Sequence, residues 1–118
     1  MNILIVDDIV INRYIIREIV KKLGYKSWEA GNGKIAMDLL KENQFDVIFL
    51  DIEMPVMNGM ETARAIRLLP SPKNKIKIIA ITAYNPSIIH DELNMTDFDS
   101  IITKPYSIEK IKESLVLL

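Results

Sequence analysis

The chain has no cysteine, which excludes disulfides and thiolate metal sites but leaves the compartment open. It has no excess of positive charge. Fifteen Lys and Arg stand against 16 Asp and Glu, so no basic field exists to hold nucleic acid or an anionic membrane. No apolar run approaches the roughly 20 residues that cross a bilayer. The first residues lack the basic segment of a secretory signal, and their short apolar run stops at two acids. Linkers, internal repeats and low-complexity tracts are missing too. What remains, 118 residues with 49% apolar and 26% charged, is the composition of a soluble globular protein able to bury a core without staples. The chain reads as one soluble, cytoplasmic domain over residues 1–118.

Short β-branched runs alternate with helical periodicity from end to end. Strands are predicted at Ile3–Val6, Lys26–Glu29, Val47–Leu50, Ile76–Ile81 and Phe98–Ile102. Three of them (ILIV, VIFL, IIAI) are continuously apolar, as strands covered on both faces are. The first helix is predicted to turn Ile11, Ile15, Ile19 and Leu23 inward and to stop at Gly24. The second carries Ile35, Ala36, Leu39 and Leu40, and the third carries Met60, Ala63 and Ile66 up to Pro70 and Pro72. A fourth starts at Pro86 behind Asn85, with Ile88, Ile89 and Leu93 inward. A fifth is capped by Ser107, with Ile108, Ile111 and Leu115 inward. Five βα units in series argue for a doubly wound α/β fold with a parallel sheet.

Ligands of such a sheet bind outside the carboxyl ends of its strands, so the residues that follow each strand matter most. After "NILIV" come Asp7 and Asp8, two adjacent carboxylates that repel each other and resist desolvation. A helix cap accounts for one of them, Asp8, and leaves the other unexplained. After the third strand comes Asp51, in "VIFLDIEMPVMNG"; after the fourth, Thr82 and Ala83; after the fifth, Lys104. Oxygen-only ligands suit a hard cation such as Mg²⁺, which makes adjacent acids tolerable. One carboxylate can then attack phosphorus, with Lys104, Thr82 and the Ala83 N–H holding the phosphoryl oxygens. Taken singly each residue has a plainer role: caps for Asp8 and Asp51, a turn for Thr82, the surface for Lys104. Their conjunction at four strand ends does not.

The residues Asp7-Asp8, Asp51-x-x-Met54-Pro55-x-x-x-Gly59, Thr82-Ala83 and Lys104-Pro105 resemble a response-regulator receiver domain over essentially the whole chain. That resemblance implies a flavodoxin-like (βα)5 fold with strand order 2-1-3-4-5, and Asp51 and Lys104 closing on the first-strand acids from flanking strands. It implies Asp51 as phosphoacceptor. Mg²⁺ would be held by Asp8, Asp51 and the backbone carbonyl of Glu53, with Asp7 acting partly through water. A cis Lys104–Pro105 peptide would aim the lysine. "VDDIVINR", "GNGKIAMDLL" and "DIEMPVMNGMETARAIR" look most like receivers joined to hybrid sensor histidine kinases. Such a domain takes its phosphoryl group from a kinase or histidine phosphotransfer domain, and catalyses its own phosphorylation and slow dephosphorylation without turning over a separate substrate. It contacts neither nucleic acid nor membrane. Whether it is free-standing or the cytoplasmic part of a longer kinase stays open, as does a weak homodimer through the fourth helix and fifth strand, where such domains often pair.

Some positions depart from the family pattern. Ile101 stands where receivers commonly carry the Tyr or Phe of a threonine–aromatic switch, so phosphorylation is expected to change residues 84–102 only weakly. "NMTDFD" replaces the usual Ala-Gly before the fifth strand, with Asn94 able to close the fourth helix. Ile9 and Val10 are apolar at the mouth of the acidic site. They staple the start of the first helix or form a docking patch for a helical partner bearing the phosphohistidine. Tyr84 covers the phosphoryl group in this reading, and Glu53 lines the same approach. Three other readings stay open. An aspartate-nucleophile phosphohydrolase of the haloacid-dehalogenase type has D-x-D where this chain has adjacent acids. A flavodoxin needs a hydroxyl- and glycine-rich loop after the first strand. A degenerate receiver acting only as a scaffold is kept open by Ile101.

Overall fold

The computed structural model describes residues 1–83, 97–105 and 107–116. Strands apolar at every position need cover on both faces, and they receive it. β1 (Asn2–Val6), β2 (Lys26–Ala30), β3 (Val47–Asp51), β4 (Lys77–Thr82) and β5 (Ser100–Thr103) pair in parallel in the order β2-β1-β3-β4-β5. This is the flavodoxin-like order, with the chain reversing direction across the sheet between β1 and β3.

Alternation along the strands sends side chains to two cores. Leu4, Ile48, Leu50 and Ile78 face α2 (Gly33–Glu42) and α3 (Gly59–Arg67), which contribute Ala36, Leu40, Ala63 and Ile66. Ile3, Ile5, Phe49, Ile79 and Ile81 face α1 (Val10–Lys22) and the C-terminal helix α4 (Ile108–Val116), which contribute Ile16, Val20, Ile111 and Leu115. The helix expected behind Asn85, with Pro86, and the loop at Asn94 lie outside the described residues.

Three expectations need correction. Ile108, expected inward, is 38% exposed in the first turn of α4, where Ile111 and Leu115 are the buried apolar residues. In α1 the inward residues are Ile16 and Val20, with Ile19 and Leu23 only partly covered; Ile11 is 58% and Ile15 39% exposed. An i, i+4 series drifts by about 40° per step around a helix of 3.6 residues per turn, so Ile11 to Leu23 cannot share one face. The last strand begins at Ser100 rather than Phe98. Phe98 is buried in the core, and the Asp99 carboxylate accepts the Ile78 N–H at 2.8 Å, so these residues fasten the strand's start instead of lying in it.

Caps follow the local sequence. Asn32 accepts the Ile35 N–H at 2.8 Å at the start of α2, and Asn58 and Glu61 form a reciprocal capping box on α3. The Lys110 N–H donates to Ser107 Oγ at 3.1 Å on α4. α1 starts at Ile9 with no side-chain cap, so neither Asp7 nor Asp8 serves that purpose.

Candidate functional site

The carboxyl ends of β1 and β3 lie side by side and bring the acids together. Asp7 and Asp51 are each 1% exposed and Asp8 is exposed; one oxygen from each lies within 4.8 Å of the others. Three hard oxygen donors in this space suit a divalent cation, with no nitrogen or sulfur ligand in the group. The buried acids are aimed by their own loops. The Ile9 N–H donates to Asp7 Oδ1 at 2.9 Å, and the Glu53 N–H donates to Asp51 Oδ1 at 3.1 Å. Each is a side-chain turn that closes two residues on, which Asp forms readily.

Lys104 approaches from beyond β5 at the sheet edge, with two strands between it and β1, not from a flanking strand. Its Nζ stands 3.5 Å from Asp51 Oδ2 and 4.0 Å from Asp7 Oδ2. Its backbone N–H donates to the Thr82 carbonyl at 2.8 Å, and the Lys104–Pro105 peptide is cis. One ammonium thus faces two buried carboxylates. Burial pushes the Asp51 carboxyl up to about 7 and the Asp7 charge adds to the rise; the Lys104 ammonium and the Glu53 N–H oppose it.

Further residues complete the site. Gly59 starts α3 directly against the end of β3: a Cβ there would run into the Asp51 carbonyl oxygen and stand 2.7 Å from Ile52 Cα. Only glycine lets the helix start this close to the strand that carries Asp51. Val56 in the same loop has φ +70° although it is β-branched, a conformation that L side chains rarely adopt. The Arg13 guanidinium donates to the Asp7 carbonyl at 2.7 Å and pairs with Glu29 at 3.2 Å, fastening the acidic loop to the end of β2. The basic residue one helical turn after the acids and the acid near the end of the second strand were the available signals for that tie. The sequence set Glu53 beside the approach to the site but gave no sign of its partners: its carboxylate accepts from Thr82 Oγ1 at 3.1 Å and from the Ala83 N–H at 3.0 Å.

The remaining expected residues lie around this cluster. Ile9 and Val10 are exposed beside the acids, and Tyr14, Ile11 and Ile15 extend their apolar surface along α1. A groove lined by Asn12, Ile15, Ala83, Lys104 and Pro105 joins that surface to the site. Ile101 is half-buried in β5 opposite Ala80 and packs partly on the α2–α3 core. Tyr84 lies outside the described residues. Among the described residues, no helix is long and apolar enough to cross a membrane.

Residues 3–116 match the response regulator receiver domain family. The chain is 32% identical over 117 residues to the sensor histidine kinase RcsC of Escherichia coli (strain K12), covering 99% of this chain and 12% of the kinase. It is 29% identical over 113 residues to sporulation initiation phosphotransferase F of Bacillus subtilis (strain 168), covering 96% and 89% of the two chains. The crystal structure of response regulator protein TrrA from Thermotoga maritima, in complex with Mg(2+)-BeF, superimposes with a TM-score of 0.86 at 33% identity, over 98% of this chain and 96% of that one. The chain spans between 5% and 15% of the length of the histidine kinases it matches. Family match, strand order and strand-end chemistry agree, and the chain belongs to the response regulator receiver domain family of two-component signalling.

Proposed function

We propose that the chain accepts a phosphoryl group from a phosphohistidine onto Asp51 and relays it, or the signal it carries, within a phosphorelay. The donor is a sensor histidine kinase or a histidine phosphotransfer domain. The observation that carries this reading is the placement of Asp51: a buried carboxylate with an ammonium at 3.5 Å and two further acids in reach of a shared cation. In the transfer, an Asp51 oxygen forms the new bond to phosphorus as the bond from phosphorus to the imidazole nitrogen breaks. The imidazole leaves with the electron pair, so no other reactant is needed.

Asp7, Asp8, Asp51 and the backbone carbonyl of Glu53 would hold Mg²⁺, which supplies charge neutralisation for the acids and the phosphoryl oxygens. Burial leaves the Asp51 carboxyl at about 7, so the ionised, nucleophilic form is costly there without added positive charge. Lys104, Thr82 and the Ala83 N–H are placed to receive the phosphoryl oxygens. Pro105 sets the direction of the lysine, and Tyr84 stands next in the chain to cover the group. Ile101 replaces the aromatic switch residue in this scheme.

The apolar strip of Ile9, Val10, Ile11 and Ile15 beside the acids is the docking surface for a helical partner that presents the phosphohistidine. The chain acts as one domain, either free-standing or as the receiver of a longer kinase.

Phosphoramidate, a small donor with the phosphorus–nitrogen bond of phosphohistidine, tests the reading. With Mg²⁺ the intact mass should rise by one phosphoryl group. Removing Mg²⁺ or making Asp51→Asn should abolish the gain. A gain that persists in Asp51→Asn would contradict the assignment, and no gain in the native protein would favour a scaffold without phosphotransfer.

A further inference from the structure

We infer that the Glu53 side chain is an internal latch, its carboxylate occupying in the resting protein the hydrogen-bond donors that a phosphoryl group on Asp51 must take over. This rests on the phosphoacceptor reading above. The Glu53 N–H is tied to Asp51 Oδ1 at 3.1 Å, so the backbone of Glu53 is fixed beside the acceptor. From there its side chain crosses to the end of β4. Oε2 accepts from Thr82 Oγ1 at 3.1 Å and Oε1 accepts from the Ala83 N–H at 3.0 Å. One carboxylate satisfies two donors, much as two oxygens of a phosphoryl group would.

The Ala83 amide and the Thr82 hydroxyl each offer one proton. Glu53 and the phosphoryl group therefore compete for them. Glu53 forms no ion pair among the described residues, and the Asp51 charge repels its own. The two hydrogen bonds are what hold it in place. It is only half-buried, so once displaced it swings into water at little cost.

Two effects follow. The resting protein binds a phosphoryl group less tightly than an open site would. Phosphorylation moves a negative charge out to the mouth of the site, next to the Ile9–Val10 surface. That gives this chain a moving part of its own, since Ile101 supplies no aromatic ring.

Beryllofluoride with saturating Mg²⁺, a phosphoryl mimic, is the probe. It is titrated against the native protein, Glu53→Ala and Glu53→Gln, with the Ala83 amide resonance followed in metal-free and bound forms. Releasing two hydrogen bonds should tighten binding in Glu53→Ala by roughly fivefold or more. Glu53→Gln keeps one acceptor oxygen and should fall between. In the metal-free protein, the Ala83 amide of Glu53→Ala should move upfield and exchange faster.

Unchanged affinity in Glu53→Ala would overturn the latch while leaving the phosphoacceptor reading intact. Equal gains from both variants with an unmoved Ala83 amide would overturn it as well, since lost repulsion alone would then explain the gain. If all three proteins fail to bind beryllofluoride, the phosphoacceptor reading itself falls, and the latch with it.

Discussion

Arg67 at the amino edge of the sheet and Lys104 at its carboxyl edge are both cations set among strand ends, and they meet opposite balances of charge. Arg67 donates to the carbonyls of Asp97, Asn74 and Ile76 at 3.1, 2.9 and 2.6 Å, and to Asp99 Oδ2 at 3.1 Å. Asp99 in turn accepts the Ile78 N–H, so this edge ties α3, β4 and the approach to β5 into one satisfied network. Lys104 stands before Asp51 and Asp7 with Asp8 beside them, more negative charge than one ammonium can balance. The same loops hold a strained Val56 and an Asp51 carboxyl pushed up to about 7. One edge stabilises the fold. The other holds unfavourable electrostatics, as functional sites tend to, and in the proposed function a cation and a phosphoryl group offset them.

Substitutions at the two edges should therefore act in opposite directions. Asp51→Asn removes the crowded charge and, in metal-free protein, should stabilise the fold. The sign follows from proton linkage. With Asp51 titrating at about 7 instead of 3.8, the folded state holds its proton over a window where the unfolded state has lost it, so stability falls as pH rises from about 4 to 7. Denaturation at pH 8 should show Asp51→Asn more stable by up to roughly 4 kcal/mol, with the advantage fading toward pH 4. Equal stability at both pH values would place Asp51 in a balanced site. At the amino edge Arg67→Ala takes the guanidinium from three carbonyls and leaves Asp99 with only the Ile78 N–H and the more distant Lys77, and should destabilise by about 3 kcal/mol in urea titrations. A loss below ~1 kcal/mol would mean that water replaces the guanidinium there.

Smaller effects sharpen the contrast. Val10→Lys should slow transfer from a phosphorylated histidine protein by about tenfold through lost apolar contact, leaving phosphoramidate transfer unchanged. Equal slowing of both would remove the docking surface from the account. Val56→Gly relieves a positive φ on an exposed residue and should raise stability by about 1 kcal/mol, measured by thermal melting.

Much of the carboxyl edge was legible because strand ends are marked in sequence. An apolar run that stops at Asp7-Asp8 or Asp51 fixes both where the strand stops and what it presents. Ser107 likewise announced a helix start, through a cap chemistry confined to three or four residues. What was not legible depends on how elements meet. Ile11 and Ile15 follow apolar spacing as well as Ile16 and Val20 do, and only the direction in which α1 lies on the sheet decides between them. The reach of Glu53 to Thr82 and Ala83 joins positions some 30 residues apart, as does the tie of Arg67 to Asp99. The approach of Lys104 over two strands has the same origin: strand order sets its distance from the acids, and no local pattern encodes that.

The central claim is that the overcharged edge exists to receive a phosphoryl group at one carboxylate. Borohydride reduction after phosphoramidate and Mg²⁺ treatment tests it most directly, because an aspartyl phosphate is converted to homoserine and peptide masses then locate it. The account predicts homoserine at position 51 alone. Homoserine at position 7 or 8, or no reduction product from protein that has gained the mass of a phosphoryl group, would contradict it.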